Sequence, residues 1–218
     1  SRAYFQTLAA WNADRLDWNG RFREPPPFAQ RCSSSLTELS AAARALRDGV
    51  DDESERSEWT GIGDRAAALR LGPGLEPATE VGPLIHAEAR DKVAEYVGIA
   101  KQEGASVAIG GAVPSDPRLA RGWFYQPTVF AGVTPGMRIA QEEIFGPVVS
   151  VMKFRDADEA IQIANDTIYG LAAGVFTQDI TAAIHVARRL KAGTVWVNAY
   201  GYLKTEAPFG GYKQSGTG

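Results

Sequence analysis

From about residue 148 onward, the chain alternates short apolar runs with amphipathic helical segments. The runs Val148 to Phe154, Leu171 to Phe176 and Thr194 to Asn198 predict strands. Asp156 and Asp179 stand where N-caps would begin the helices between these strands. Strand, helix, strand, helix, strand at this spacing is the βαβ pattern. The sequence therefore predicts an α/β fold, with a doubly wound, mostly parallel sheet and helices on both faces.

The predicted helices carry apolar residues at the spacing of one helix face. A helix over Ala87 to Gly104 should end at the glycine and bury a stripe of four residues: Val93, Tyr96, Val97 and Ala100. The inward faces of the two later helices are predicted to be Ala157, Ala160, Ile161 and Ala164, and then Ile180, Ala183, Ile184 and Ala187. Glu159 occupies the capping-box position relative to Asp156.

The first 64 residues lack this patterning. Three consecutive prolines, Pro25 to Pro27, interrupt helix and central strand alike. The stretch from Asp48 to Glu58 holds six acidic residues and one basic residue, Arg56, which favours a solvated segment. We expect two regions: residues 1–64, either disordered or degenerate, and residues 65–218, which fold. A shifted reading frame or a decayed gene start would produce the first region, and so would an insertion; we favour the former.

Composition excludes several classes of function. A net charge of −3 gives no electrostatic basis for binding nucleic acid or an anionic membrane. No apolar run approaches the ~20 residues of a membrane span, and no signal-peptide pattern opens the chain. One cysteine excludes an internal disulfide and suits a reducing cytoplasm. The two histidines, His86 and His185, are too isolated for a metal site.

The stretch from Glu142 to Val149 combines residue types that are seldom found together: two carboxylates, a phenylalanine and a Gly-Pro turn directly before a predicted strand. Proline fixes its own φ while glycine adopts almost any, so the turn sets a sharp entry angle. The carboxylates and the ring would then lie at a strand end, where open α/β sheets bind ligands. From these residues alone, a solvated acidic turn is equally compatible with the pattern.

This stretch resembles the Glu-Glu-Ile-Phe-Gly-Pro-Val signature of the NAD(P)-dependent aldehyde dehydrogenase superfamily. The resemblance extends from Leu69 to Gly218 and includes several further motifs in order. They are Val81-Gly82-Pro83-Leu84-Ile85, Gly122-Trp123-Phe124-Tyr125-Gln126-Pro127-Thr128-Val129, Gly170-Leu171-Ala172-Ala173-Gly174-Val175-Phe176, Gly193-Thr194-Val195-Trp196-Val197-Asn198 and Pro208-Phe209-Gly210-Gly211-Tyr212-Lys213-Gln214-Ser215-Gly216. The resemblance implies the fold of the family's catalytic domain over residues 65–218.

The resemblance also implies roles for individual residues. Gln30-Arg31-Cys32-Ser33 is similar to the context of the family's catalytic cysteine, with Ala29 where a glycine is usual, so Cys32 would be the nucleophile. An incidental free cysteine remains an alternative for Cys32. Glu143 and Phe145 match positions that contact the nicotinamide ribose of the cofactor, NAD or NADP.

Three further positions correspond to the substrate side of the family's site. Leu203 and Phe209 match the wall of the aldehyde tunnel, although a loop residue of this type is also commonly used for packing. Asn198 ends a predicted strand, and a role in stabilising the turn is equally open for it.

Two functions from different classes remain open. One is an NAD(P)-dependent aldehyde dehydrogenase that oxidises an aldehyde to a carboxylic acid through a thiohemiacetal and a thioester on Cys32. The other is a truncated, catalytically inactive family fragment, because no glycine-rich nucleotide loop follows a strand and the family's cofactor domain precedes the cysteine. The resemblance implies a homo-oligomer, and we expect the terminal strand through which family members pair to be missing from this chain. We therefore expect the chain alone to bind NAD or NADP weakly or not at all.

Overall fold

A computed structural model describes residues 7–10, 68–204 and 206–218 of the chain. The chain divides into two compact units. Of the described residues, 68–153 belong to the first unit, and 7–10, 154–204 and 206–218 belong to the second. Cys32 and nearly all of the region predicted over residues 1–64 lie outside the described residues. The exception is strand β1, Thr7–Ala10, where the sequence predicts no element.

The first unit is built on a three-stranded sheet and one long helix. Its helices are α1 (Ala87–Gln102) and α2 (Arg138–Gln141), and its strands are β2 (Ser106–Ile109), β3 (Thr128–Ala131) and β4 (Val148–Ser150). The sheet has the order β2-β3-β4, with β2 antiparallel and β4 parallel to β3. A 3₁₀ helix, Pro117–Leu119, lies in the loop between β2 and β3.

Helix α1 confirms the prediction made from its spacing. The four residues predicted to be inward are its buried residues, and Gly104 just beyond its end has a φ of 96°, which only glycine adopts readily. The buried face packs with Phe130 of β3 and with Ile139 and Ile144 into one core cluster. This cluster is what places the loop that contains Ile144 against α1.

Strand β4 is shorter than the predicted strand, Val148 to Phe154. Pairing covers three residues, and all three are only half-buried, so the prediction of a buried seven-residue strand is wrong. The physical reason is the length of the neighbouring strand. Because β3 ends at Ala131, only one more backbone hydrogen bond, from Val151 N–H to the Phe130 carbonyl, extends the pairing.

The second unit contains a parallel sheet and two helices. Its helices are α3 (Ala157–Asn165) and α4 (Ile180–Arg189), and its remaining strands are β5 (Tyr169–Gly170), β6 (Ala172–Phe176), β7 (Thr194–Val197) and β8 (Tyr212–Lys213). The sheet order is β1-β6-β7 with every pair parallel, and β5 pairs antiparallel with β8. Strand β6 is fully buried at the centre of its sheet. The predicted α/β class with parallel strands is therefore confirmed.

Both predicted N-caps are present. The Asp156 carboxylate accepts from Glu159 N–H at 2.9 Å, and the Asp179 carboxylate accepts from Thr181 N–H at 2.7 Å. The capping box is only half formed, because the Glu159 carboxylate accepts from the backbone N–H of Arg155 rather than from that of Asp156. The side chains of the caps thus satisfy N–H groups that the first helical turn leaves free.

The inward face predicted for α4 is partly wrong. Ile180 and Ile184 are 69% and 45% exposed, whereas Ala183 and Val186 are buried together with Leu190 just beyond the helix. The buried stripe is therefore rotated about the helix axis from the predicted one. Apolar residues occur on both sides of Ala183, so spacing alone does not determine which side meets the sheet.

Candidate functional site

Residues 142–147, named here the acidic loop, connect α2 to β4. The loop begins at Glu142, whose N–H donates to the Arg138 carbonyl at 2.8 Å. It ends at Pro147, whose carbonyl accepts from Thr128 N–H of β3 at 2.8 Å. The loop therefore precedes β4 and lies at its amino end. The expectation that it lies at a ligand-binding strand end is corrected, since that rule concerns the carboxyl ends of parallel strands.

Glu142 is committed to bonds inside the first unit. Its carboxylate accepts two hydrogen bonds from the Arg138 guanidinium, at 2.7 and 2.8 Å, and one from the Tyr96 hydroxyl of α1 at 2.6 Å. The bonds from Arg138, followed by the bond from Tyr96, lower the pKa of the Glu142 carboxyl from 4.5 to about 2. The bond to Glu142 also raises the pKa of the Tyr96 hydroxyl. Glu142 thus anchors one end of the acidic loop.

The depressed pKa of Glu142 predicts how the anchor responds to acid. Because the folded-state pKa lies below the ordinary value, this stabilisation is present above about pH 4.5 and is lost as the pH falls through about 2. Glu142→Gln should lower the thermal midpoint at pH 7 by about 2–4 °C, since both ion-pair partners are nearly half exposed and solvent screens them. The difference in thermal midpoint between wild type and Glu142→Gln should shrink as the pH falls towards 2. Glu95→Gln, at an exposed position of α1, is the matched control; a difference that persists unchanged at pH 2 would contradict this assignment.

Glu143, the next residue, has a different environment. Its backbone carbonyl accepts from the Lys92 ammonium of α1 at 2.8 Å, while its side-chain Oε1 is buried and has no hydrogen-bond partner among the described residues. A buried carboxylate oxygen without a donor is costly, commonly by about 1–3 kcal/mol or more. The two adjacent carboxylates are therefore unequal. The Glu142 carboxylate is used internally, and the Glu143 carboxylate has a buried oxygen that none of the described residues satisfies.

Ile144 and Phe145 point in opposite directions. Ile144 is buried in the core cluster against α1, whereas the Phe145 ring is 56% exposed. Phe145 also has a left-handed φ of 58°, a conformation that costs a residue with a side chain about 1–2 kcal/mol. An exposed ring held by a strained backbone, directly after an unpaired carboxylate, is the arrangement expected of a ligand contact.

Gly146 allows the loop to approach α1. A methyl group in place of its hydrogen would overlap Val93 Cγ2, and Val93 is fully buried. The close approach places Glu143 over Lys92, which lies next to Val93 on α1. Glycine is therefore required at this position by packing rather than by its φ.

Asn198, in the second unit, follows β7 with a φ of 54°. Its side-chain amide accepts from the N–H of Thr177 at 2.8 Å and donates to the carbonyl of the same residue at 2.9 Å. Its own N–H donates to the Val175 carbonyl of β6 at 2.8 Å. Through these bonds Asn198 links the carboxyl ends of β6 and β7. Its side chain therefore stabilises the turn, which is the alternative role that the sequence left open.

Leu203 and Phe209 also belong to the second unit. Leu203 is exposed, and Phe209 is half-buried at the start of a glycine-rich turn that Gly211 N–H closes by donating to the Gly216 carbonyl at 2.7 Å. Of the predicted site residues, Glu143 and Phe145 lie together on the acidic loop, and Asn198, Leu203 and Phe209 lie in the second unit. Cys32 lies outside the described residues.

Sequence reasoning missed three residues that hold the acidic loop: Lys92, Tyr96 and Arg138. Two of them had a usable signal. A tyrosine on a buried helix face needs a partner for its hydroxyl, and Arg138 stands four residues before Glu142, the spacing of an ion pair on a helix. For Lys92 the sequence gives no such signal, because its partner, the Glu143 carbonyl, lies 51 positions away in the chain.

Within the described ranges, no group of three or more histidine, cysteine, aspartate or glutamate residues could hold a metal ion. A search of the same residues found no helix with the length and apolarity needed to cross a bilayer.

Comparison with known proteins agrees with the resemblance seen in the sequence. The model of the aldehyde dehydrogenase family matches residues 57–218. Betaine aldehyde dehydrogenases of Mesorhizobium japonicum and Brucella melitensis are each 54% identical to the chain over 155 residues, 71% of this chain and 32% of theirs. The chain belongs to the aldehyde dehydrogenase family, and it spans about a third of the length of these curated relatives.

Solved structures show the same relationship. A betaine aldehyde dehydrogenase of Staphylococcus aureus in complex with NAD⁺ matches with a TM-score of 0.75 and 42% identity, over 88% of this chain and 39% of that chain. A double mutant of the S. aureus enzyme, also with NAD⁺, matches with a TM-score of 0.73 and 47% identity over 79% of this chain and 34% of that chain. The family resemblance predicted from the sequence motifs is therefore confirmed.

Proposed function

We propose that the chain acts in the NAD-dependent oxidation of an aldehyde to a carboxylic acid. The observation that carries the proposal is the buried, unpartnered Oε1 of Glu143 beside the exposed, strained Phe145. Family membership and the NAD⁺ complexes of the S. aureus relatives support it. The single cysteine is consistent with a reducing cytoplasm as the site of the reaction.

The residues of the acidic loop fit the nicotinamide half of NAD. A carboxylate oxygen without a donor can accept from ribose hydroxyls, which supply the hydrogen bond that the buried Oε1 of Glu143 lacks. The exposed ring of Phe145 can limit the movement of a flat heterocycle beside it. NAD, when bound, supplies an acceptor for the hydride that leaves the aldehyde carbon.

We assign the nucleophile to Cys32. Its thiolate would add to the aldehyde carbon to form a thiohemiacetal, and the thioester produced by oxidation would release the carboxylic acid when water attacks it. Leu203 and Phe209 would then contact the aldehyde, while Asn198 holds the backbone before them. Betaine aldehyde, named in the relatives, is one of the aldehydes that deserve testing.

The test is aldehyde-dependent reduction of NAD and NADP by the purified chain, with betaine aldehyde among a panel of aldehydes. Turnover should exceed that of Cys32→Ala, which removes the proposed nucleophile, and should fall in Glu143→Gln, which removes the carboxylate charge. Cys32→Ser is a second control, because its hydroxyl is a far weaker nucleophile than a thiolate. Equal rates for wild type and Cys32→Ala at saturating NAD would favour the catalytically inactive fragment instead.

A further inference from the structure

Residues 198–203, named here the aromatic loop, follow β7 and turn back towards it. The indole N–H of Trp196 on β7 donates to the backbone carbonyl of Tyr202 at 2.9 Å, six positions further along the chain. The side chains of Tyr202 and Leu203 are themselves exposed. The end of the aromatic loop is therefore tied to the sheet through its backbone, while its last two side chains remain accessible.

The Tyr200 ring anchors the middle of the aromatic loop on the sheet. It packs against the Trp196 ring with a centroid separation of 4.8 Å and a tilt of 53°, a geometry that aromatic pairs favour. Gly174 of β6 is the register partner of Trp196, and a methyl group at residue 174 would lie only 2.9 Å from Tyr200 Cδ2. Burial at this place raises the pKa of the Tyr200 hydroxyl to about 12. The glycine thus leaves the room that the tyrosine ring needs beside the tryptophan.

The two ends of the aromatic loop are held in different ways. At its start, both ends of the Asn198 side-chain amide are bonded to Thr177. Further on, Gly201 has a φ of 74°, and a methyl group there would meet no atom within 4 Å. Since packing does not hold the chain at this glycine, the direction in which Leu203 leaves the sheet depends on the bond from the Trp196 indole.

We propose that Trp196 is a positioning residue for aldehyde specificity: its indole N–H fixes the backbone of the aromatic loop and thereby the place of the Leu203 side chain. The inference rests on the proposed function, in which Leu203 contacts the aldehyde. Trp196 acts through Leu203 and needs no contact with the substrate. Because a wall contact of this kind contributes to binding rather than to the chemical step, its loss should change KM for the aldehyde rather than kcat.

A double-mutant cycle on the full chain tests this role. Trp196→Phe keeps a ring beside Tyr200 and removes the N–H donor, Leu203→Ala removes the proposed contact, and the double variant combines them. Trp123→Phe is the matched control, because it removes an indole N–H from a tryptophan that is exposed in the first unit. We would measure kcat and KM with propanal, hexanal and NAD, and the picosecond-to-nanosecond mobility of residues 200–203 by backbone NMR relaxation.

Trp196→Phe should raise the KM for hexanal about fivefold, equivalent to ~1 kcal/mol, and should leave kcat and the KM for NAD within about twofold of wild type. The KM for propanal should rise less, since a shorter apolar chain gains less from an apolar wall. Mobility should increase in the aromatic loop. The double variant should have the same KM as Leu203→Ala alone, and Trp123→Phe should match wild type.

An unchanged KM for hexanal in Trp196→Phe would overturn the positioning role, and so would a double variant in which the two effects multiply. The proposed function has separate outcomes. Absence of turnover in wild type would overturn the proposed function, and an unchanged KM in Leu203→Ala would overturn the assignment of this residue to the aldehyde. In either case NMR relaxation decides the inference, because wild-type mobility of the aromatic loop in Trp196→Phe would remove it. A KM raised in Leu203→Ala but not in Trp196→Phe would leave the function standing and remove the inference alone.

Discussion

Gly193→Ala should lower the free energy of unfolding of the second unit by about 3 kcal/mol or more, at the upper end of what overpacking costs. A methyl group at residue 193 would overlap the carbonyl oxygen of Gly210 and lie 2.6 Å from the carbonyl carbon of that residue and 2.9 Å from Gly211 Cα. All three are backbone atoms, so no side chain can rotate away. The glycine-rich turn that carries Phe209 would have to leave its place beside residue 193.

Urea unfolding followed at the Trp196 indole resonance measures this effect, because the indole N–H donates to the Tyr202 carbonyl within the second unit. Gly201→Ala is the control: a methyl group there meets no atom within 4 Å, but the φ of 74° is unfavourable for alanine. That variant should cost only about 1–2 kcal/mol. Equal losses in the two variants would mean that the close approach of Gly193 to Gly210 does not decide stability.

Gly146→Ala should destabilise the first unit by about 2 kcal/mol, since its methyl group would overlap Val93 Cγ2 in the core. A valine on a helix has essentially one rotamer available, so Val93 cannot yield by rotating. The acidic loop would move off α1 and lose the bond from Lys92 to the Glu143 carbonyl. The affinity for NAD should therefore fall along with the free energy of unfolding of the first unit.

The double variant Gly146→Ala with Val93→Ala tests the cause directly. Removing the valine methyl groups makes room for the new methyl group, so the double variant should be more stable than the sum of the single effects predicts, by about 1–2 kcal/mol. Gly98→Ala is the matched control on α1, because a methyl group there meets nothing within 4 Å. If the effects of the two substitutions on the free energy of unfolding are additive, the contact between residue 146 and Val93 is not the cause of the destabilisation.

The parts of the fold that follow from local rules could be predicted from the sequence. The buried face of α1 and the caps at Asp156 and Asp179 depend on spacing and on side chains two or three residues away. The face of α4 could not be predicted in the same way. Ile180 and Val186 are both apolar, and only the position of the sheet decides that Val186 is the buried one.

The same limit applies to the candidate site. Glu143 and Phe145 could be singled out because they stand in one recognisable motif. The bond from Tyr96 to Glu142 joins residues 46 positions apart. The position of Tyr96 on a buried helix face indicates that its hydroxyl needs a partner, but nothing local in the sequence indicates that Glu142 is that partner. The unequal environments of Glu142 and Glu143 likewise depend on which carboxylate faces the cations on α1 and α2. Two neighbouring glutamates therefore look alike in the sequence and differ in the fold.

The claim that the acidic loop binds the nicotinamide ribose is tested most directly by saturation-transfer NMR on NAD in the presence of the chain. This measurement detects weak binding and reports which part of the ligand lies against the protein. The ribose protons next to the nicotinamide should receive the strongest saturation, the adenine protons the weakest, and Glu143→Gln should abolish the difference. Strongest saturation at the adenine, no saturation, or an identical pattern in Glu143→Gln would contradict the claim.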